Sequence, residues 1–508
     1  MAFIYRYELK NKNNRQKINL QLHEENIVDA IDQTFGDNVL SIKVFFDFFE
    51  FRLQHSIATN LELQTLGKKI VSSNPELNSY KKIYKKNSQL FRRKKSSYYA
   101  FLEDIEYENQ IYYLKFDLVD QEDSDRIQNE FEENQTPKGD LLSTLNTFSM
   151  IVEIKELDLM EKKIKNILNI NNDEATNRWY LLKGKHVKSG NSLIFLDYTE
   201  SQDIVSNFML FSIDDLEETK SAQLEKFYSL EGIEHLEIAD FNENYDDFFI
   251  AVYNVGQGLC SAICNYNSQP IVYFDFGGGE RRDAVTYPSN GIEYCFSLKP
   301  KIILSHWHRD HWIGVHYCEE ALKTEWIVPN QKKGPQVIKL CGDISKNGKL
   351  TELSSGTLKT PFGSLFIGNG DNSHYHNNGI GLLVENKSNE RFLLPGDNRY
   401  QFIPDQFLSN LNGLVASHHG GKYFKNNSGE NKIPSNVNEG KIVYSYGKHE
   451  KFNPKFNSHG HPSYNDEYIN YNWVESLELH TPDGHCAVGN NKKINKCNCG
   501  CDLEIECW

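Results

Sequence analysis

The sequence lacks long apolar runs and an excess of basic residues, the features typical of membrane-spanning proteins and of proteins that bind nucleic acid over an extended surface. No apolar run approaches the ~18 residues that a spanning helix requires. Lys and Arg number 55 against 70 Asp and Glu, and the formal charge of −15 argues against an extended basic face that binds nucleic acid tightly by itself. Residues 1–7 are too polar for a secretory signal. We therefore expect a cytoplasmic protein with no membrane partner.

The length of 508 residues suits two or three domains of ~100–200 residues each. We predict an N-terminal domain of unknown type over residues 1–245, with a mixed α/β or α+β fold. An Asp-, Glu-, Asn- and Gln-rich stretch near 120–139 predicts a linker that divides it into two sub-units. A second domain is expected over 246–490, followed by a Cys-rich tail over 491–508.

Within the N-terminal region, four segments carry local signals. Residues 5–8 predict a strand, and the aromatic-rich segment 39–53 predicts either a strand or a buried helix. The apolar residues of 151–170 predict a helix. The leucines of the acidic stretch 214–247 predict an amphipathic helix with a connection.

Four potential metal ligands lie within the six residues HWHRDH at 306–311. They follow the apolar run 302–304, which predicts a buried strand. Two imidazoles at i and i+2 can share one ion, and a carboxylate with a third imidazole can reach a second ion nearby. Imidazole nitrogen suits Zn, Fe and Ni, and a carboxylate also admits Mn. Three surface histidines by chance are the alternative, but this spacing after a strand favours a metal site.

Four other apolar runs, each predicted as a strand, also border ligand-type residues. These residues are Asp275, His374 with His376, Asp397, and the pair His418-His419. Each alone has an ordinary explanation, since an Asp beside glycine can cap a turn. Five such strand ends in one chain favour a shared site.

This ordered set of ligands resembles the metallo-β-lactamase superfamily over residues 249–489. Within that superfamily, four short stretches are similar to the soluble metallohydrolase domain of the ComEC competence proteins. The stretches are NVGQG at 254–258, HHGG at 418–421, SYG at 445–447 with HGHP at 459–462, and TPDG at 481–484. The resemblance implies an α/β protein whose residues 246–490 form an αββα metallo-β-lactamase sandwich.

The chain departs from that family in three places. Asn254 stands where Asp is usual, Leu259-Cys260 replaces an acidic–small pair, and His376 stands where Asn is common. DNA transport is not implied, because no run here is long enough for the family's membrane channel.

Carried over by this resemblance, the ligands fall into two groups around two divalent ions, Zn or Mn. The first group is His306, His308 and His376, with His374 as the alternative to His376. The second group is Asp310, His311 and His418, with His419 as the alternative to His418. Asp397 would bridge both ions.

Three residues have further implied roles. Asp275 would orient a ligand imidazole or its loop from outside the ligand set. Asp310 would act as a catalytic residue beside a metal-bridged hydroxide. His461 would face the substrate as a phosphate contact or proton donor, and the alternative for it is an ordinary histidine before a proline turn.

The resemblance favours a nuclease or phosphodiesterase acting on DNA or RNA. The fold also hosts other hydrolyses, so a hydrolase of a small ester, thioester or cyclic nucleotide is an alternative. A non-enzymatic metal-binding interaction protein is a second alternative. The N-terminal domain would select the substrate, hold a protein partner or restrain the active site, a combination typical of bacterial antiviral defence proteins or toxin effectors.

Two other clusters lie outside these motifs. Residues 80–99 interleave eight Lys or Arg residues with five aromatic ones, which predicts either a single-strand track or a solvated helix face. The C-terminal cysteines could hold a structural Zn or stay reduced, and an i, i+2 spacing chelates awkwardly. They are Cys486, Cys497, Cys499, Cys501 and Cys507.

Overall fold

Strands dominate the described part of this computed structural model, in two units that span residues 1–94 and 95–508. The described residues are 3–11, 14–22, 96–108, 111–134, 142, 145–155, 175–187, 192–195, 197, 204–229, 234–235, 241, 248–279, 284, 286–354, 356–371, 374–421, 432–447, 465–474, 480–483 and 485–489. The first unit contains the antiparallel hairpin of β1 (Phe3–Asn11) and β2 (Asn14–Leu22), which confirms the strand predicted at 5–8. The predicted segment 39–53 lies outside the described residues.

A closed antiparallel barrel forms the first part of the larger unit. Its six strands are β3 (Ser96–Glu108), β4 (Ile111–Asp120), β5 (Thr147–Lys155), β6 (Arg178–Val187), β7 (Ser192–Phe195) and β8 (Ile204–Asp215). Helix α1 (Gln121–Asn134) follows β4, and helix α2 (Glu218–Phe227) follows β8. The strand order β3-β4-β5-β7-β8-β6 returns to β3, so the barrel leaves no edge strand among these six.

The linker predicted at 120–139 is wrong for most of its length, because α1 occupies residues 121–134. Asp120 starts this helix by accepting the backbone N–H groups of Glu122 and Asp123 at 3.1 and 3.2 Å. Ile127 is fully buried. The acidic residues therefore belong to a helix that packs against the rest of the unit through Ile127. Composition alone cannot distinguish such a helix from a linker.

The helix predicted at 151–170 is also wrong at its start, since residues 151–155 belong to β5. That strand pairs with β4 on one side and β7 on the other. Its β-branched residues Ile151, Val152 and Ile154 suit a strand with neighbours on both sides. Residues 156–170 lie outside the description. The helix predicted within 214–247 is confirmed by α2, with Leu224 buried.

Two sheets form the remainder of the larger unit. The first has the order β22-β10-β11-β12-β13-β14-β15-β9, with β9 (Glu234–His235), β10 (Phe249–Val252), β11 (Ser261–Cys264), β12 (Pro270–Phe274), β13 (Lys301–Ile303), β14 (Glu325–Pro329), β15 (Lys349–Leu353) and β22 (Cys486–Val488). The second runs in order from β16 to β21, with β16 (Thr357–Thr360), β17 (Gly363–Ile367), β18 (Ile380–Glu385), β19 (Arg391–Leu394), β20 (Leu411–Val415) and β21 (Asn436–Val443). Helix α3 (Pro335–Asn347) lies between β14 and β15 in the chain, and α4 (Asn465–Asn470) follows β21.

The two sheets pack against each other through one apolar core. Val272 and Ile303 of the first sheet share this core with Leu382 and Leu394 of the second. On the outer face of the first sheet, α3 buries an apolar stripe that includes Leu340. The outer face of the second sheet is covered by short helical turns and residues around α4. The predicted αββα sandwich thus has two facing sheets but few helices in its described outer layers, and the architecture stays a prediction.

The barrel is joined to helix α3. Asp117 of β4 accepts the backbone N–H of Gln336 at 2.8 Å, which caps the first turn of α3. Lys339 of the same helix forms a 2.6 Å ion pair with Asp197 beyond the end of β7. Barrel and sandwich therefore belong to one unit, whereas the boundary predicted at residue 245 stays a prediction. No helix in the described ranges is long and apolar enough to cross a membrane.

The barrel contains a histidine whose protonation we expect to destabilise the fold. Burial lowers the pKa of His186 from 6.5 to about 4, so the folded state resists the protonation that the unfolded chain accepts. Stability from this group is complete above about pH 6.5 and falls towards pH 4. His186→Phe should remove about 1–2 kcal/mol of that acid sensitivity, discounted because the ring is partly exposed. Urea unfolding of wild type and variant at pH 7 and pH 4.5 checks this; equal losses in both proteins would contradict it.

Candidate metal centre

The predicted ligand-bearing strand ends meet at one edge of the sandwich. Strands β12 and β13 are parallel, as are β19 and β20, so their carboxyl ends lie at the same edge of each sheet. The carboxyl ends lead to Asp275, the 306–311 loop, Asp397, and the pair at 418–419. Strand β18 is antiparallel to β19, so the segment before it, with His374 and His376, reaches the same edge.

Asp397 occupies the middle of this cluster. Its Oδ2 lies within 4.0 Å of the Nε2 atoms of five histidines. The distances are 3.2 Å to His311, 3.6 Å to His376, 3.8 Å to His306, 3.9 Å to His418 and 4.0 Å to His419. One carboxylate can therefore reach cations on either side of it.

The side chains form two groups that could hold a metal ion, each with its ligand atoms within 4.8 Å of one another. The first group is His306, His308, His376 and Asp397, all buried. The second group is Asp310, His311 and His419. The predicted ligands thus lie close together. His418 also comes within 3.9 Å of Asp397, but it belongs to neither compact group, and His419 is the member of the second group.

The sequence favours His418 over His419 as a ligand of the second group, whereas the described geometry places His419 in that group. Nε2 of His419 lies 3.1 Å from Oδ2 of Asp310, whereas the His418 ring lies beside His376, with ring centroids 5.1 Å apart. Both histidines have left-handed backbone angles, with φ of 49° and 55°. This tight turn sends the two imidazoles to different sides of Asp397, and the HHGG pattern alone does not reveal which side each one takes.

Asp275, predicted as an orienting residue, lies behind His311. Its Oδ2 is 2.8 Å from Nδ1 of His311, and its two oxygens accept hydrogen bonds from the backbone N and Oγ of Ser305 at 2.6 and 2.8 Å. Oγ of Ser305 in turn lies 2.9 Å from Nδ1 of His306. Burial raises the pKa of Asp275, against the opposing pull of His311. One carboxylate therefore orients the whole loop and two of its imidazoles.

Two further histidines are fixed through the ring nitrogen that faces away from the centre. Nδ1 of His419 lies 2.8 Å from the carbonyl oxygen of Ser445, and Nε2 of His308 lies 3.3 Å from that of Glu103. Since a carbonyl only accepts, the anchored nitrogen carries the proton and the other nitrogen presents its lone pair inward. This arrangement is typical of metal-binding histidines.

Three buried polar atoms of the centre have no hydrogen-bond partner within the described ranges. They are Nε2 of His306, Nε2 of His311 and Oδ1 of Asp397. Buried polar atoms are normally satisfied, since leaving one unpaired is costly. A bound cation would satisfy all three, so the residues present fit a metal site.

The protonation states of three groups also suit cation binding, whereas His311 has to release a proton first. Burial opposes the charged form of His311, but the carboxylates of Asp397, Asp275 and Asp310 outweigh burial and raise the pKa of this ring well above 6.5. Burial, followed by neighbouring imidazoles, lowers the pKa values of His306 and His376 well below the ordinary range, which keeps both rings neutral. Burial opposes ionisation of Asp397, but His311 and His419 outweigh it and hold the pKa of this carboxyl well below its usual value. Neutral imidazoles and ionised carboxylates are the forms that bind metal.

Glycines allow the backbone to close around this site. A Cβ atom on Gly277 would lie 1.9 Å from the carbonyl oxygen of Asp310, and one on Gly396 would lie 2.4 Å from Cβ of Ser305. Gly396 also has a left-handed φ of 58°. Gly277 and Gly396 therefore allow the loops that carry Asp275 and Asp397 to pack closely against the loop at 305–311.

Some predicted features fall elsewhere. His461, residues 80–95 and the cysteines from 497 onwards lie outside the described residues. Tyr98 and Tyr99 belong to β3 and are buried, so they are unavailable to stack on bases as the single-strand track would need. Cys486 is a buried free thiol in β22.

Sequence reasoning missed Glu103, Asp104, Ser305 and Ser445. Ser305 adjoins the HWHRDH motif and Ser445 opens the SYG stretch, so proximity to motifs was a usable signal for both. Glu103 and Asp104 lie about 200 positions from the motif in a strand with no motif of its own.

Comparison with known proteins adds no relative. No protein-family model matches the chain. No curated protein matches it either. The chemistry of the site has therefore to be argued from its own residues.

Proposed function

We propose that this chain is a metal-dependent hydrolase that cleaves phosphodiester bonds in DNA or RNA. Two divalent ions, Zn or Mn, would be held by the two ligand groups, with Asp397 between them. The observation that carries the proposal is the position of Oδ2 of Asp397, within 4.0 Å of five imidazole nitrogens. A single structural ion has no need of so many ligands around one carboxylate.

The side chains of the centre have different proposed roles according to their position. Asp275 and the Ser445 carbonyl hold the imidazoles of His311 and His419 with their lone pairs turned inward. When bound, divalent ions activate water for attack near neutral pH and offset the charge that develops on the attacking and leaving oxygens. Asp310 is positioned by His419 at Oδ2, its Oδ1 lies 3.9 Å from Nε2 of His311, and its side chain is 14% exposed. This carboxylate would accept a proton from the attacking water.

The direction of substrate approach follows from exposure. The side chains of Asp310 and His418 are 14% and 17% exposed, whereas the other ligands are almost fully covered. A scissile bond would therefore approach from the side of these two residues. His418, displaced from the second ligand group, would lie beside the reacting group there.

A phosphodiester is favoured because the motifs are similar to those of the competence-type hydrolases. The net charge of −15 is compatible with this substrate, since bound metal ions supply the local positive charge at a scissile phosphate. A role in antiviral defence, and a partner or substrate held by the N-terminal region, stay predictions.

The test is degradation of single-stranded DNA, duplex DNA and RNA with added Mn or Zn, comparing wild type with Asp310→Ala. We expect cleavage by wild type and a loss of at least about a hundredfold in the variant, because both a ligand and the proton acceptor are removed. Asp405→Ala is the matched control, since this carboxylate is 88% exposed. Cleavage that persists at equal rate in Asp310→Ala would point to a contaminating nuclease and count against the proposal.

A hydrolase of a small ester, thioester or cyclic nucleotide is the second candidate. It is favoured by the burial of His306, His311 and Asp397, each at most 2% exposed, because a deep centre suits a small substrate that can enter fully. Hydrolysis of bis(4-nitrophenyl) phosphate or a cyclic dinucleotide, without cleavage of any polymer, would select this candidate.

A further inference from the structure

Barrel strand β3 is irregular at the point where it meets the metal centre. Leu102 pairs with Phe116 of β4 and Asp104 pairs with Lys115, so the register between β3 and β4 shifts by one residue at Glu103. Such a β-bulge redirects the groups beside it and is common next to active sites. The irregularity turns two consecutive residues of the barrel towards the histidines of the first ligand group.

The first of these residues acts through its backbone. The carbonyl oxygen of Glu103 lies 3.3 Å from Nε2 of His308. The carbonyl can only accept, so His308 carries its proton on Nε2 and turns Nδ1 inward. That Nδ1 lies 2.9 Å from Nε2 of His376, the neighbouring member of the same ligand group.

The second residue acts through its carboxylate. Asp104 is buried, and its Oδ1 lies 3.8 Å from Nε2 of His374. Nδ1 of His374 accepts the backbone N–H of His376 at 3.1 Å and thereby caps the turn at 375–377. Because Nδ1 accepts, the proton of the neutral ring is on Nε2, which faces Asp104. Asp104, His374 and the backbone of His376 therefore form a continuous chain of contacts.

The charge of Asp104 is balanced locally. Lys115, its cross-strand neighbour on β4, lies 3.6 Å from Oδ2 of Asp104, and the backbone N–H of Ile105 donates to Oδ1 at 2.8 Å. A buried carboxylate supported in this way gives a fixed point against which the His374 ring is held.

We propose that barrel strand β3 contributes to metal binding by orienting two ligands of the first group. The carbonyl oxygen of Glu103 fixes the proton of His308 on Nε2, and Asp104 acts through His374 as a positioning residue for His376. The inference rests on the proposed metal site. It assigns the barrel a direct function in metal affinity, in addition to the substrate selection, partner binding or restraint of the active site predicted for the N-terminal region from the sequence.

Asp117 supplies a matched control. It is also a buried aspartate of the barrel, and it also contacts the sandwich, where it accepts the backbone N–H of Gln336 in α3. Asp104→Ala and Asp117→Ala each remove one buried barrel carboxylate at the same junction. Only the first should alter metal binding if β3 positions the ligands.

The experiment measures Zn and Mn affinity of the full chain by competition with a chromophoric chelator, together with the metal content of dialysed protein. We expect Asp104→Ala to weaken binding of one ion about 10- to 100-fold, the usual effect of losing an orienting group. Asp117→Ala should keep wild-type affinity. Asp104→Asn, which preserves shape and an accepting oxygen, should recover most of the affinity and serves as the test variant if Asp104→Ala does not fold.

A double substitution tests the route of action. His374→Asn keeps a side-chain oxygen that can cap the 375–377 turn but loses the ring that faces Asp104. If Asp104 acts through His374, the combined variant should bind metal no more weakly than the weaker single variant. Equal affinity in wild type, Asp104→Ala and Asp117→Ala would overturn the inference while leaving the proposed function intact. Absence of metal binding by wild type would overturn the proposed function itself.

Discussion

Asp397→Asn is expected to abolish stable binding of both metal ions and to lower hydrolysis by at least about a thousandfold, equivalent to about 4 kcal/mol. No other described side chain of the centre approaches so many ligands, since Oδ2 of Asp397 lies within 4.0 Å of imidazoles of both groups. The amide has the same shape but no charge, and one of its two positions becomes an N–H donor, which cannot bind a cation. The substitution therefore removes both the negative charge and one of the two metal-binding oxygens of Asp397.

The measurement is metal content by mass spectrometry alongside turnover of the best substrate. Asp405→Asn is the control, because the exposed Asp405 contacts only Lys432 among the ion pairs described and lies outside both ligand groups. It should retain wild-type metal content and activity. Two equivalents of metal in Asp397→Asn would show that the two groups do not depend on this residue, contrary to the expectation.

The substitution His419→Ala should remove one ion and reduce hydrolysis by more than about a hundredfold, while His418→Ala should keep both ions. His419 is 2% exposed, its Nδ1 is anchored by Ser445, and its Nε2 faces Asp310. His418 is more exposed and is not a member of either compact ligand group. Its loss should lower activity by about tenfold at most, through a contact with the reacting group and not through metal loss.

The two adjacent histidines are each other's control, because they share one turn and both have a left-handed backbone. Strain released by alanine at either position should be similar, so a difference in metal content reports on ligation. If His418→Ala loses an ion while His419→Ala keeps two, His418 is the ligand of the second group and the assignment of His419 to it is wrong. Metal content and turnover are to be measured at a fixed total metal concentration, since excess metal can mask a weakened site.

The sequence by itself determined the parts of the site that depend on local pattern. Short apolar runs bounded by His or Asp predicted strands ending in ligands, and the runs at 302–304, 380–384 and 392–394 lie in or directly beside strands. His306, His308, Asp310 and His311 could be named because four of them fit into six residues. Close spacing along the chain guarantees proximity in space, so no tertiary information was needed.

Only the tertiary structure decided what depends on direction and on distant contacts. The choice between His418 and His419 follows from two left-handed backbone angles, which a pair of identical residues cannot reveal. The linker predicted at 120–139 and the start of the helix predicted at 151–170 are wrong because burial against other elements overrides composition and local periodicity. Glu103 and Asp104 reach the centre because a bulge in a barrel strand meets a loop about 200 residues away. The contact depends on the packing of barrel against sandwich, which no local pattern in the sequence encodes.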